Sequence, residues 1–286
     1  MPMLSRRPLK RRFARLCAAP AAMLTTLLAS GAASANQREP WQLGFLDSAT
    51  PIMDRVTSFH NLLLWIITLI TLFVLGLLIY VVWRFRESAN PTPSRRSHHT
   101  LLEVVWTGVP VLILVIIAIP SFKLLYYNDV VPETEMTIKA IGRQWYWSYE
   151  YPDHGNFTFD AYMLTEDELE EGQPRLLVTD NKVVVPAETN IRLQVTASDV
   201  IHSWAMPAFG VKIDAVPGRL NEIWINVEQP GIYYGQCSEI CGVNHGFMPI
   251  MVEALPKEEF EAWAQKAQEE FARVDAPVTR VAAVQQ

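Results

Sequence analysis

Two stretches of this chain carry no polar rhythm. From Leu62 to Val82 there are 21 residues without a charged side chain, roughly 31 Å as a helix and close to the ~30 Å hydrocarbon core of a bilayer. Trp83, Arg84 and Arg86 follow, as interfacial anchors do. A second uncharged run of 19 residues extends from Val104 to Phe122, closed by Lys123 and the pair Tyr126-Tyr127. Pro110 predicts a kink in its early turns, and Pro120 falls near its end. The pattern predicts a two-helix transmembrane hairpin with spans at about 62–82 and 104–125.

After Asp129 the texture changes to short runs rich in β-branched and aromatic residues. Predicted strands are 135–141, 144–151, 156–163, 182–185, 191–197, 220–227, 232–235 and 249–253. Breaks fall at Pro152-Asp153-His154-Gly155, Gly172-Gln173-Pro174, Pro217-Gly218 and Pro230-Gly231. With no helical pattern between them, these strands predict an all-β Greek-key sandwich or barrel rather than an α/β fold. His202 falls on a loop after a strand, and residues 165–171 read as a solvated acidic turn. From Pro256 the period changes again. Phe260, Trp263, Ala267 and Phe271 recur at helical spacing against a Glu/Lys/Gln face, which predicts an amphipathic helix and then a disordered tail.

Charge divides the chain further. Residues 1–35 hold six basic and no acidic side chains, 36–128 hold seven and five, and 129–286 hold eleven and twenty-five. In the first block Arg6, Arg7, Lys10, Arg11, Arg12 and Arg15 precede an apolar stretch too short to span, and Ala33-Ser34-Ala35 follows. That is the layout of a secretory signal peptide, so 1–35 is set apart from the fold. Cys17 lies inside it, which leaves Cys237 and Cys241, too few for a disulfide framework. Three segments remain: 36–128 with the hairpin, 129–255 as the β domain, and 256–286 as the helix and tail.

The loop between the spans carries Arg84, Arg86, Arg95 and Arg96. The flank before the first span has only Arg38 and Arg55, against Glu39, Asp47 and Asp54. Positive-inside asymmetry puts the loop in the cytoplasm and both ends outside. A cleaved export signal requires the same topology. The acidic exported half excludes nucleic acid as a natural partner and points to a basic protein surface.

The chemistry concentrates in Cys237-Ser238-Glu239-Ile240-Cys241-Gly242-Val243-Asn244-His245-Gly246-Phe247-Met248, with His202 upstream. Soft sulfur with imidazole is a copper ligand set. A mononuclear blue-copper site takes one Cys, two His and a weak Met. This set has one Cys too many for that, and one His too few for two such sites. Two coppers bridged by both thiolates is the economical solution. Each then takes one His, and the weak positions go to Met248 and a backbone carbonyl near Glu239. Sharing one electron across two metals keeps redox rearrangement small, which suits electron transfer rather than substrate chemistry. A Cys237–Cys241 disulfide is one alternative. Zinc is the other, although Met248 is a poor zinc ligand and no H-x₃₋₅-H pair is present.

The run Gly235-Gln236-Cys237-Ser238-Glu239-Ile240-Cys241-Gly242, with Asn244-His245 and Phe247-Met248-Pro249, resembles the binuclear copper (CuA) loop of the cytochrome c oxidase subunit II family. Gln144-Trp145-Tyr146-Trp147-Ser148-Tyr149-Glu150-Tyr151 is similar to the same family's aromatic strand. So are Asp199-Val200-Ile201-His202-Ser203-Trp204, Asp214-Ala215-Val216-Pro217-Gly218-Arg219 and Leu102-Glu103-Val104-Val105-Trp106-Thr107. The similarity runs from about Trp41 to about Trp263.

The resemblance implies a cupredoxin-like domain. Its implied copper ligands are His202, Cys237, Cys241, His245, Met248 and the backbone carbonyl of Glu239. The Glu239 carboxylate would face a Mg²⁺ or Mn²⁺ shared with subunit I. Trp145, expected as an exposed indole beside the copper loop, corresponds to the point where electrons from cytochrome c arrive. Glu103 corresponds to the mouth of a proton pathway in subunit I, or else serves as a helix-start carboxylate. Glu150, Asp153, Asp160, Asp180 and Asp199 are candidates for an acidic docking ring, each otherwise an ordinary solvated charge. His60, His98 and His99 read as interfacial, with no role assigned.

The implied protein sits in membrane lipid, in a bacterial inner membrane, with its C-terminal domain in the periplasm. Its implied partners are the haem-bearing subunit I, subunit III and cytochrome c. The donor must be external, because no C-x-x-C-H haem attachment occurs. Two rival classes are a membrane-tethered single-copper carrier and a purely structural subunit without copper, as in quinol-oxidising relatives. The CuA domain of nitrous oxide reductase has a similar loop, but the two spans and the aromatic strand fit an oxidase better.

Overall fold

Helix α1 (Pro51–Arg84) begins where three start signals coincide. Thr50 Oγ1 accepts from the Met53 N–H, Pro51 takes the first helical position, and Asp54 lies in the first turn. The computed structural model describes residue 38 and residues 40–271; the expected signal peptide and C-terminal tail lie outside these. Because α1 starts well before Leu62, His60 lies within it rather than ahead of it. Helix α2 (Thr100–Asp129) is capped by His99, whose Nδ1 accepts from the Leu102 N–H at 3.2 Å. The His99 N–H in turn donates to the Glu103 carboxylate at 3.0 Å, a reciprocal capping arrangement. Pro110 and Pro120 both lie inside α2, which runs on to Asp129. Both helices are long and apolar enough to cross a membrane.

Ten strands follow: β1 (Met136–Arg143), β2 (Tyr146–Tyr151), β3 (Phe157–Ala161), β4 (Val183–Pro186), β5 (Ile191–Ala197), β6 (His202–Met206), β7 (Val211–Ala215), β8 (Asn221–Ile225), β9 (Gly231–Cys237) and β10 (Pro249–Leu255). They form two five-stranded sheets, ordered β3-β2-β1-β5-β8 and β4-β10-β9-β6-β7. β1 pairs with β5, and β10 with β4, in parallel; the other pairings are antiparallel. Strict alternation of buried and half-buried residues along β1 and β5 gives the first sheet one core face.

The core lies between the sheets. Several polar groups of its large aromatics pair across it, although the buried Trp147 Nε1 has no partner among the described residues. Tyr151 Oη donates to Val184 O at 2.9 Å and accepts from Val184 N–H at 3.0 Å, while Trp204 Nε1 donates to Tyr149 Oη at 3.4 Å. Helix α3 (Lys257–Phe271) buries Phe260, Ala264 and Ala267, and Trp263 packs 5.4 Å from the Tyr151 ring.

Three expectations need correction. β6 and β7 were not predicted, because β6 is buried along most of its length and so shows no period-two pattern. His202 is therefore the first residue of an inner strand, between β9 and β7, rather than a loop residue. The expected strand 144–151 starts two residues late. Arg143 pairs with Tyr146, so Gln144 and Trp145 form the tip of the β1–β2 hairpin. Their polar groups bond to other loops, as described below, and not to the ladder.

The hairpin is joined to the sandwich by several bonds, not a free linker. Ala49 N–H donates to Ala208 O, Glu228 N–H donates to Ala49 O, and the buried Thr50 Oγ1 donates to Phe209 O at 2.7 Å. Gly210 has φ +67°, and a Cβ there would lie 3.0 Å from Met53 Cα, so both conformation and space call for glycine. At the end of α2, Arg55 stacks on the Tyr127 ring at 3.7 Å, and Trp224 Nε1 donates to Tyr127 O at 3.2 Å.

Candidate metal centre

β9 ends at Cys237 and β10 begins at Pro249, so the chemistry-rich loop spans the ends of two paired strands. Cys237 N–H donates to Met248 O at 3.3 Å and closes the loop. Ser238 N–H donates to Ser203 O at 3.0 Å and ties it to β6. His202 opens β6 and lies fully buried beneath. A one-turn 3₁₀ helix, His245–Phe247, brings the second imidazole back toward the sulfurs.

The donor atoms converge. His202 Nδ1, Cys237 Sγ and Cys241 Sγ all lie within 4.8 Å of one another. Cys237 Sγ is 3.9 Å from His202 Nδ1 and 3.5 Å from the Glu239 carbonyl oxygen. Cys241 Sγ is 3.5 Å from His245 Nδ1 and 3.5 Å from Met248 Sδ. The two sulfurs stand 3.9 Å apart, well beyond the ~2.05 Å of a disulfide, and both thiols are free. All six expected donors thus face one small volume. Two thiols, two imidazoles, a thioether and a carbonyl suit a soft metal, and the thioether fits copper better than zinc.

Protonation of the metal-free site is asymmetric. Burial raises the Cys237 thiol, but hydrogen bonds with His202 and with the Glu239 and Ser203 backbones outweigh it and bring Cys237 down to about 6. Burial, and then the charge on Cys237, push Cys241 up to about 12. A bound cation removes that penalty on the second thiolate. For His202, burial favours the neutral ring, yet bonds to Cys237 and Asp199 raise it above the ordinary imidazole value.

Asp199 has a place that the sequence did not indicate. Its Oδ1 lies 2.9 Å from His202 Nε2, which keeps a proton on Nε2 and turns Nδ1 toward the sulfurs. Burial alone would raise this carboxyl, but bonds from His202, Val200 and Gln144 hold it below the usual carboxylate range. Gly142 was likewise missed: a Cβ there would lie 2.7 Å from His202 Cδ2. Asp199, three residues before His202, reads along the chain only as a docking charge, and Gly142 meets His202 across the packing of one sheet on the other, which leaves no mark on residue type.

Trp145 is half-buried rather than exposed, and its indole Nε1 donates to Cys241 O at 3.3 Å. The other docking candidates have local partners. Glu150 pairs with Lys139 at 2.8 Å, Asp160 accepts from Ser148 Oγ at 2.6 Å, and Asp180 accepts from Tyr162 N–H at 2.7 Å. Asp153 accepts from Thr137 N–H and follows the far end of β2, roughly 20 Å along the strand from Trp145. The Glu239 carboxylate lies 3.9 Å from Lys212 Nζ. Glu103 stands in the first turn of α2 as part of its cap.

A β-sandwich following two helices long and apolar enough to cross a membrane, with a ligand set that fits a soft metal in one strand-connecting loop, defines a cupredoxin-like membrane protein. The chain belongs to the cytochrome c oxidase subunit II family. The transmembrane domain of that family matches residues 38–124, and its periplasmic domain matches 136–255. The chain is 49% identical over 256 residues to the probable cytochrome c oxidase subunit 2 of Rickettsia felis, covering 90% of this chain and 80% of that one. It is 54% identical over 231 residues to cytochrome c oxidase subunit 2 of Arabidopsis thaliana, covering 79% and 89%. The crystal structure of the periplasmic domain of subunit II of cytochrome oxidase from Bradyrhizobium japonicum is 54% identical. It covers 50% of this chain and 99% of that one, with a TM-score of 0.47.

Proposed function

We propose that this chain is the electron-accepting subunit of a cytochrome c oxidase. It takes single electrons from reduced cytochrome c and delivers them to haem in subunit I, where oxygen is reduced to water and protons are pumped. The observation that carries this reading is that His202, Cys237 and Cys241 cluster within 4.8 Å while His245, Met248 and the Glu239 carbonyl each lie 3.5 Å from one of the two sulfurs, in a family of oxidase subunits. His202, Cys237, Cys241, His245, Met248 and the carbonyl of Glu239 would hold a copper pair. That pair supplies a one-electron store with little geometric change.

The chain's own residues supply orientation and access. Asp199 fixes the His202 tautomer, and the burial of Cys237, Cys241 and Met248 excludes water from the sulfurs. Trp145 offers a π-system bonded directly to the backbone of a ligand residue. Asp160, Asp180 and Asp199, with Glu150 further along β2, supply negative charge toward the hairpin tip for a basic cytochrome c. Asp153, beyond the far end of β2, suits that role least. The exposed Glu239 carboxylate would join a Mg²⁺ or Mn²⁺ with subunit I. Glu103 would mark a proton pathway opening on the cytoplasmic side. The protein would be two-pass in a bacterial inner membrane with its sandwich in the periplasm, beside subunits I and III.

Copper analysis and electron paramagnetic resonance on the purified full chain test this reading. Two coppers per chain with one electron shared between them are expected. One copper per chain with a mononuclear signal would instead mean a single-copper carrier.

A further inference from the structure

The hairpin tip between β1 and β2 holds both ligand-bearing segments. The Gln144 N–H donates to Asp199 Oδ2 at 2.7 Å, and the other oxygen of that carboxylate meets His202 Nε2 at 2.9 Å. The Gln144 side chain reaches the opposite way: Nε2 donates to Cys241 O at 2.7 Å. That same oxygen accepts from Trp145 Nε1 at the longer distance of 3.3 Å. Both lone pairs of the Cys241 carbonyl are therefore taken by neighbours in sequence, and the glutamine makes the tighter contact. Gly242 completes the fit. Its φ is +128°, and a Cβ would lie 2.9 Å from Trp145 Cζ2 and 3.1 Å from Gln144 Nε2.

We propose that Gln144 is a positioning residue for electron input, clamping the Cys241 carbonyl so that the Trp145 indole stays on the same oxygen. This rests on the electron-accepting reading above. Through its backbone Gln144 also sets the Asp199–His202 pair in the same frame, so one residue registers the two halves of the ligand set against the indole. A freely solvated glutamine at a hairpin tip would do neither. Gln144 is exposed, so replacing its side chain leaves the core packing untouched.

The test compares Gln144→Met, which keeps length but removes the donor, and Gln144→Glu, which also adds negative charge, in the assembled oxidase. Both should keep full copper content and show altered copper hyperfine splitting. Both should slow electron input at saturating cytochrome c on the order of fivefold, the factor that one net hydrogen bond carries, with KM nearly unchanged. A wild-type copper spectrum together with a wild-type saturating rate would overturn the proposal. So would an effect confined to KM, especially a lower KM for Gln144→Glu, because that is the signature of a docking residue. Absence of a copper pair from the wild-type oxidase would instead defeat the underlying reading.

Discussion

The imidazole of His202 lies directly on the backbone of Gly142, with Cδ2, Cγ and Cβ at 2.7, 2.8 and 2.9 Å from where a Cβ of residue 142 would stand. These separations are shorter than side-chain contacts allow, and the ring is held from its other edge by Asp199. Gly142→Ala should therefore push a ligand out of line without disturbing the sheet. Copper affinity should fall by about 10- to 100-fold, as when the supports of a ligand are lost. Competition with a copper chelator measures it, and circular dichroism should show the β domain intact.

Cys237 and Cys241 sit 3.9 Å apart, with the other donors divided between them. Replacing either by Ser should abolish the shared-valence resonance while leaving a folded, membrane-inserted chain. A signal persisting in either variant would contradict bridging by both sulfurs.

Trp145 touches the site through one hydrogen bond from its indole to the Cys241 carbonyl. Trp145→Phe keeps an aromatic ring but loses that donor. Electron input from cytochrome c should slow, while the copper spectrum and the reaction of the reduced enzyme with oxygen stay near wild type. Unchanged turnover with cytochrome c would remove Trp145 from the route.

Thr50 caps α1 and bonds to Phe209 O, joining the hairpin to the sandwich from a fully buried position. Thr50→Val preserves shape and removes both bonds. A loss of about 1–2 kcal/mol is expected, read as a lower unfolding temperature of the full chain in detergent.

Tyr149 and Tyr151 are buried, and desolvation raises both phenols above their ordinary value of 10.0. Below that value both folded and unfolded states keep these protons, and the stabilisation is fully present. Above it the unfolded chain releases protons that the folded chain retains, so stability falls as pH rises. Ultraviolet titration should show two phenols that ionise only as the fold is lost. Tyr151→Phe should remove its own contribution and cost about 1–3 kcal/mol at neutral pH, because Val184 N–H and C=O lose their partner.

Much of this was legible along the chain, and the parts that were not share a cause. The spans, the sandwich, the α3 helix and the five candidate donors between Cys237 and Met248 follow from local pattern, because an uncharged run, an alternating strand and a twelve-residue ligand cluster are local properties, whereas His202 joins them from 35 residues upstream. The early start of α1 was hidden because Ile52 and Met53 are buried by the sandwich rather than by a membrane-length apolar run. β6 was hidden because burial along most of its length removes alternation. The hairpin tip was hidden because Trp145 continues an aromatic run and reads as strand.

By itself, the sequence settled which atoms could bind a metal and that they would stand on a β domain beside a membrane. Spacing within one loop is enough to bring Cys237, Cys241, His245 and Met248 together. Tertiary structure alone decided what aims them. Asp199 meets Gln144 across 55 residues and Gln144 meets Cys241 across 97, distances closed only by strand pairing and by the packing of one sheet on the other. Carboxylates, amides and glycines are common everywhere in a chain, so their roles here come from position and not from residue type.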